Sequence, residues 1–393
     1  MIPFGVCLAV AQDPGGAEAL APVLKALANK GWSLSVLARR QAGKIFERAK
    51  VAYDPCDDEK LATAGDYFGF ALRQLDVHHP QLLLTATSLE AGWERAFIRA
   101  AYQRSIPRIT IMDAWSNERA RFLEPGEIHL TEEAMPNRVT AVDEEAAGDL
   151  YQAGFAHTRV RVVGQPALDE FVRWARSSAA SVARRRVRQS LHLSEGTRLL
   201  VFFSQPIAEM SYAQGSIAHR GYDQFQVVAL LQAALSHLHE TTRLVVKLHP
   251  KERSWPVATP GSGGAPVTTL DGGNGDELIV AADVVVGMTS TALVKGALAG
   301  HRILSIQPGL QGRDPFVLTR RRWIKPITYA AELAQAIRAL DDRTSPWSDP
   351  IVLPPIWTDG QATQRIVHVV SELLGHVPQP NVRSHVHPVI ATA

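Results

Sequence analysis

Short apolar runs rich in Val, Ile and Leu recur along the chain, each followed by a turn bearing Gly or Ser and then by an amphipathic segment. That alternation is the pattern of parallel strands covered on both faces by helices. In the first half it predicts strands over 4–10, 33–37, 81–85, 108–112, 138–142 and 159–163, with helices over 16–29, 41–50, 89–104 and 144–153. Gly164-Gln165-Pro166 breaks the pattern, and 168–191 reads as one long basic helix. Strands are expected again over 199–203, 244–247, 284–287 and 303–306, interleaved with helices over 224–239, 275–281, 290–299 and 330–340, while 256–275 reads as a Gly- and Pro-rich loop. The expected class is α/β, with two facing Rossmann-like domains and a ligand cleft between them. Residues 1–165 form the first domain, 166–195 the linker helix, 196–375 the second domain and 376–393 a mobile tail.

Length supports two cores, because 393 residues exceed the roughly 250–300 at which a single core stops growing. The 46% hydrophobic and 20% charged fractions are globular values, and the longest apolar runs fall short of the ~20 residues a membrane span needs. The start lacks a basic segment ahead of its apolar stretch, so no secretion signal is expected. Two cysteines make no disulfide framework or cysteine-based zinc site, which fits a reducing, cytoplasmic setting. A net charge of +2 gives no reason to expect nucleic acid as a partner. Two basic clusters stand out locally: Arg184, Arg185, Arg186 and Arg188, and Arg320, Arg321 and Arg322 ahead of Trp323. Each reads as a solvated face, or as an attraction to an anionic acceptor or to a membrane surface touched peripherally.

Ligands of open parallel sheets bind beyond the carboxyl ends of the strands, where helix N-termini present unpaired N–H groups. After the first strand come Gln12-Asp13-Pro14-Gly15-Gly16. Gly15 and Gly16 let a ligand approach the backbone, and Asp13 is either a helix cap or a general base that takes the acceptor's proton. Thr87 and Ser88 follow the third strand and Asp113 the fourth. Asp113 and Glu90 are reserve candidates for the base, each also readable as a cap. In the second half, Lys247-Leu248-His249-Pro250 ends a strand so that the period of two aims Lys247 and His249 the same way, which suits a phosphate. Asp283 to Ala292 reads as strand, turn and helix start, with Gly287 and the hydroxyls of Thr289, Ser290 and Thr291 forming an anion cradle. Ser204 and Gln205 are expected beside both.

These segments resemble the GT-B glycosyltransferase superfamily and its UDP-N-acetylglucosamine 2-epimerase relatives. Val162 to Asp169 is similar to the segment that ends the N-terminal domain there. Lys247-Leu248-His249-Pro250 with Thr289-Ser290-Thr291 is similar to the His-Pro and Ser/Thr motifs of sialyl-, polysialyl- and Kdo-type transferases and of CDP-glycerol glycerophosphotransferases. The resemblance implies that these motifs hold the phosphate of a nucleotide-sugar donor, UDP- or CMP-linked, with a carbohydrate or glycolipid acceptor and no further cofactor. The epimerase pattern carries paired glutamates on the helix after the phosphate turn, where this chain has Ala292-Leu293-Val294-Lys295-Gly296. The departure favours an inverting, metal-independent glycosyltransferase. A sugar-nucleotide epimerase or hydrolase and a non-catalytic nucleotide-sugar-binding protein are the alternatives.

Overall fold

A computed structural model describes residues 5–56, 64–89, 92–113, 115, 117–124, 126–209, 220–236, 242–252, 267–340 and 351–375. The chain divides into two compact units, one built up to Val163 and again from Thr363, the other spanning Gly164–Ala362.

The first unit is built on a seven-stranded sheet in the order β3-β2-β1-β4-β5-β6-β7. Its strands are β1 Val6–Ala11, β2 Ser33–Ala38, β3 Asp54–Pro55, β4 Leu82–Thr85, β5 Arg108–Ile111, β6 Arg138–Ala141 and β7 Val160–Val162. All pairings are parallel. Cys7, Ala9 and Ala11 of β1 face one apolar layer, with Leu20 and Leu24 of the helix Pro14–Asn29. Leu8 and Val10 face the other, with Trp93 and Phe97 of the helix Trp93–Gln103. Burial on both faces is why β1 reads as an unbroken apolar run rather than an alternating one.

The second unit holds a five-stranded parallel sheet in the order β10-β9-β8-β11-β12, made of β8 Arg198–Phe203, β9 Thr242–Lys247, β10 Val267–Leu270, β11 Val284–Gly287 and β12 Arg302–Ser305. In both sheets the strand order reverses beside the first strand, between β1 and β4 and between β8 and β11. Those reversals are where helices leave toward opposite faces and a crevice opens.

Several expectations change. The single helix expected over 168–191 is two helices, Pro166–Ala175 and Ser178–Ser190. β10 lies in the segment read as a loop, whose residues 256–266 fall outside the described set, as does the tail from 376. The helix Ala64–His78 was not expected; Tyr67, Ala71 and Leu75 are its buried stripe, with Phe68, Phe70 and Leu72 packed beside it. The helix Ala362–Leu373 sends Ile366, Val367, Val369 and Val370 into the core of the first unit, although its sequence position had put it in the second domain.

The first basic cluster is largely engaged within the fold. Arg184 donates to the carbonyls of Val280, Ala281 and Ala282, capping the helix Gly275–Ala281, and pairs with Asp283 at 2.5 Å. A cation on the carbonyl end of a helix meets the negative pole of its dipole. Arg188 also reaches Asp283, at 3.0 Å, and Arg186 pairs with Glu277. In the second cluster, Arg321 lies 5.9 Å from the centre of the Trp323 ring, which packs edge-on against Trp357.

His301, just before β12, has its imidazolium disfavoured by burial and by Arg184, with Asp283 opposing, so its pKa falls to about 4. The unfolded chain therefore binds more protons between pH 6.5 and 4. We expect the second unit to lose stability as pH falls through that window, by about 3 kcal/mol at most. Urea unfolding at pH 7 and pH 4.5 measures the loss, and His301→Gln should flatten it.

Candidate functional site

At the β1/β4 reversal the chain ends are crowded with polar groups. Asp13 precedes the helix Pro14–Asn29 with extended backbone, and its side chain makes no capping hydrogen bond. That removes capping as its role. Gly16 is obligatory: a Cβ there would lie 2.4 Å from the Cβ of Ala86. A Cβ on Gly15 would lie 2.4 Å from Oδ2 of Asp113. Asp113 Oδ1 accepts the Thr87 hydroxyl at 2.9 Å and pairs with Arg121 at 3.3 Å. Burial pushes the Asp113 carboxyl up, opposed by Arg121 and Thr87. Held this way, the Asp113 carboxylate lies against Gly15 at the start of the helix.

A further carboxyl completes this end. Glu94, in the first turn of the helix Trp93–Gln103, is only 2% exposed. Its Oε1 accepts the backbone N–H of Gln12 at 3.0 Å, and its Oε2 accepts the Ser88 hydroxyl at 2.6 Å. Ser88 Oγ in turn accepts Nε2 of Gln12 at 2.9 Å. Burial pushes the Glu94 carboxyl up to about 7 against the pull of these hydrogen bonds, and the charge of Asp13 adds to the rise.

The β8/β11 reversal is rich in donors instead. Gln205, just past β8, takes the backbone N–H of Thr289 on its Oε1 at 2.8 Å, while its Nε2 donates to the Thr289 hydroxyl at 3.2 Å. Arg220 donates to the same hydroxyl at 3.2 Å. Ser290 caps the helix Thr291–Leu298 by accepting the Ala292 N–H, leaving Thr291 exposed at the first position. Gly287 pairs with Phe203 and Ser305, and a Cβ on it would lie 2.5 Å from Leu293 Cδ1.

Glu252 ties Ser204 and His249 together. Its Oε1 accepts the Ser204 hydroxyl and its Oε2 the His249 N–H, both at 2.6 Å. His249 Nδ1 accepts the Lys251 N–H at 3.1 Å, so in the neutral ring Nε2 carries the proton. Burial, Lys251 and Lys247 hold the imidazolium below its ordinary range. The expectation that strand alternation aims Lys247 and His249 together does not apply, because β9 ends at Lys247, whose Nζ donates to the Leu248 carbonyl at 3.1 Å.

The structure thus gathers Asp13, Gly15, Gly16, Thr87, Ser88 and Asp113 at one end of the first sheet. Ser204, Gln205, Lys247, His249, Gly287, Thr289, Ser290 and Thr291 gather at the ends of β8, β9 and β11. Glu90 lies outside the described residues. Glu94, Gln12, Arg121, Glu252 and Arg220 were not expected. The spacing of Glu252 three residues after His249 and the place of Glu94 in the first turn after β4 were the available signals. Among the described residues, no group of three or more His, Cys, Asp or Glu side chains is disposed to hold a metal ion, and no helix is long and apolar enough to cross a membrane.

Solved structures match nearly the whole chain. UDP-GlcNAc 2-epimerase from Neisseria meningitidis, bound to UDP-GlcNAc, superimposes with a TM-score of 0.64 over 93% of this chain and 100% of its own, at 13% identity. The glycotransferase of kitacinnamycin gives 0.60 over 96% and 100%, at 13% identity. HepE from Anabaena, in complex with UDP and glucose, gives 0.55 over 94% and 100%, at 13% identity. The chain has the GT-B fold. No family model matches the sequence, and no curated protein matches it.

Within the GT-B fold, the two glycines of the first unit differ in how they tolerate a methyl group. Ala86 has no rotamer to yield, so Gly16→Ala is expected to cost about 1–3 kcal/mol by overpacking. Gly15→Ala should cost less, because the Asp113 carboxylate can turn away. Urea midpoints of the two variants test the ranking, and equal costs would contradict it.

Proposed function

We propose that the protein is an inverting glycosyltransferase that moves a sugar from a nucleotide-activated donor to an acceptor hydroxyl. The observation that carries this reading is the donor-rich end of β8 and β11, where Arg220, the hydroxyls of Thr289 and Ser290 and the N-terminus of the helix Thr291–Leu298 converge. Such a terminus favours an anion through its dipole and its N–H groups. The neighbours solved with UDP-GlcNAc or with UDP and glucose make a UDP-linked donor the first to test, ahead of a CMP-linked one.

In this scheme the acceptor oxygen attacks the anomeric carbon of the sugar while its proton passes to the Asp13 carboxylate. The bond between that carbon and the donor phosphate breaks, and its electron pair leaves with the phosphate. Arg220 and the helix terminus stabilise the developing charge, and the neutral His249 donates its Nε2–H to it. The Thr289 amide joins them by exchanging Gln205 Oε1 for a phosphate oxygen. The scheme routes no step through a metal. A carbohydrate or glycolipid is the acceptor it implies.

Sugar-nucleotide epimerisation is the second reading, favoured by the likeness to the 2-epimerases. It is disfavoured by the helix Thr291–Leu298, whose sequence TALVKGAL carries no carboxylate for a ribose. NMR of UDP-GlcNAc incubated with the protein separates the two: appearance of the C2 epimer without an acceptor would favour the second.

UDP should raise the melting temperature of the protein, and Arg220→Ala and His249→Ala should each weaken it roughly tenfold or more, as removal of a hydrogen bond to a charged group does. Asp13→Asn should abolish transfer with UDP binding kept. A bound phosphate raises the depressed pKa of His249, so binding takes up a proton and tightens as pH falls from 8 toward 6. Calorimetry in buffers of different ionisation enthalpy reads that proton, and a proton uptake and affinity unchanged in His249→Ala would remove His249 from the phosphate.

A further inference from the structure

The Asp13 turn rests on a buried carboxyl that the scheme above leaves unused. Glu94 accepts one hydrogen bond from the peptide N–H of Gln12, immediately before Asp13, and one from Ser88, which also binds the Gln12 side chain. These three contacts join the helix after β4 to the end of β1 and fix the backbone that carries Asp13. The other charged groups nearby are engaged elsewhere. Arg95 of the same helix pairs with Glu124 at 3.1 Å. On the β5 side Asp113 is held by Thr87 and Arg121. At the end of β2, Arg39 donates to Tyr67 and to the Cys56 carbonyl. Asp13 is the charged group whose field reaches Glu94.

We propose that Glu94 is a positioning residue that acts through Asp13: it anchors the turn through Gln12 and Ser88, and its charge state sets how readily Asp13 takes a proton. The proposal rests on Asp13 as the base. Coulomb coupling is reciprocal, so a negative Glu94 makes Asp13 a stronger proton acceptor, and a neutral Glu94 makes it a weaker one. With its carboxyl titrating near pH 7, Glu94 switches Asp13 between these states within the neutral range. Its 2% exposure keeps it from touching an acceptor.

Two measurements test this on the full chain. Carboxyl-carbon NMR of the glutamate-labelled protein should show a group titrating near pH 7 that is missing from Glu94→Gln and whose midpoint falls in Asp13→Asn. This arm needs no substrate, and Asp13→Asn keeps the fold because the buried contacts are untouched. In the second arm, release of UDP from UDP-GlcNAc is followed from pH 6 to pH 8. Glu94→Gln, which keeps a neutral partner for Gln12 and Ser88, should lower kcat at pH 8 by roughly 5- to 20-fold, a part of the ~10²–10⁴-fold that a general base contributes, with KM changed less than about twofold, because no ground-state contact to the donor is lost. The rise in kcat/KM across pH 7 should disappear. A Glu94 midpoint unmoved by Asp13→Asn, or a Glu94→Gln enzyme with the wild-type pH profile, overturns the proposal while leaving Asp13 as base. Full turnover by Asp13→Asn overturns the base assignment and this role together, and is told apart because the carboxyl coupling seen by NMR survives it.

Discussion

A parallel strand buried on both faces has no side on which to carry polar chemistry, so that chemistry collects where the strand stops. In the first unit this constraint produces crowding. Ala86 comes so close to the start of the helix after β1 that residue 16 has no room for a Cβ, while a Cβ at residue 15 would have to displace the Asp113 carboxylate. Gly16 therefore serves close packing of helix on strand. With the backbone pressed against β4 and β5, the polar groups that remain must satisfy one another, and Gln12, Ser88 and Glu94 do so in a closed set of three hydrogen bonds.

The two strand-order reversals have opposite electrical character. Asp13, Glu94 and Asp113 crowd the first, and burial resists the ionisation of the last two. Donors dominate the second, where Arg220, the Ser290-capped helix and the imidazole of His249 lie at strand ends around Thr289, Gln205 and Glu252. Displacement of a phosphate by a hydroxyl needs one group to take a proton and another to receive negative charge. In the proposed scheme the first role falls to the acid-rich end and the second to the donor-rich end.

Strand positions were legible where apolar runs end in a turn: β1, β2, β4, β5, β6, β7 and all strands of the second unit except β10 follow from them, while the two-residue β3 is too short to show. β10 escaped because Val267–Leu270 is half-buried and polar at two of its four positions. The helix Ala362–Leu373 was assigned to the wrong domain because its partner core, chiefly residues 7–111, lies about 250 to 360 residues back in the chain. For the sites the same distinction holds. Motifs contiguous in sequence, such as Lys247 to Pro250 and Thr289 to Thr291, were visible as patterns. Glu94, Arg220 and Arg121 matter through partners that are distant in sequence or belong to another element, and a single chain carries no signal of that proximity.

The arginines of the helix Ser178–Ser190 show why charge alone was ambiguous. Four cations within five residues suit an anionic ligand, yet Arg184, Arg186 and Arg188 bind carbonyls and carboxylates of the segment 277–283. Asp283 also accepts the Leu199 N–H at 2.8 Å, so the cluster secures the start of β8 and β11, the two strands whose far ends carry Gln205 and Thr289. The cluster thus holds the strands in place, and the anion-binding role proposed above goes instead to Arg220, a lone cation in a sequence context that did not single it out. Since fold does not decide reaction, the proposed reading turns on the helix Thr291–Leu298, whose sequence carries no carboxylate, and on Arg220 beside its start.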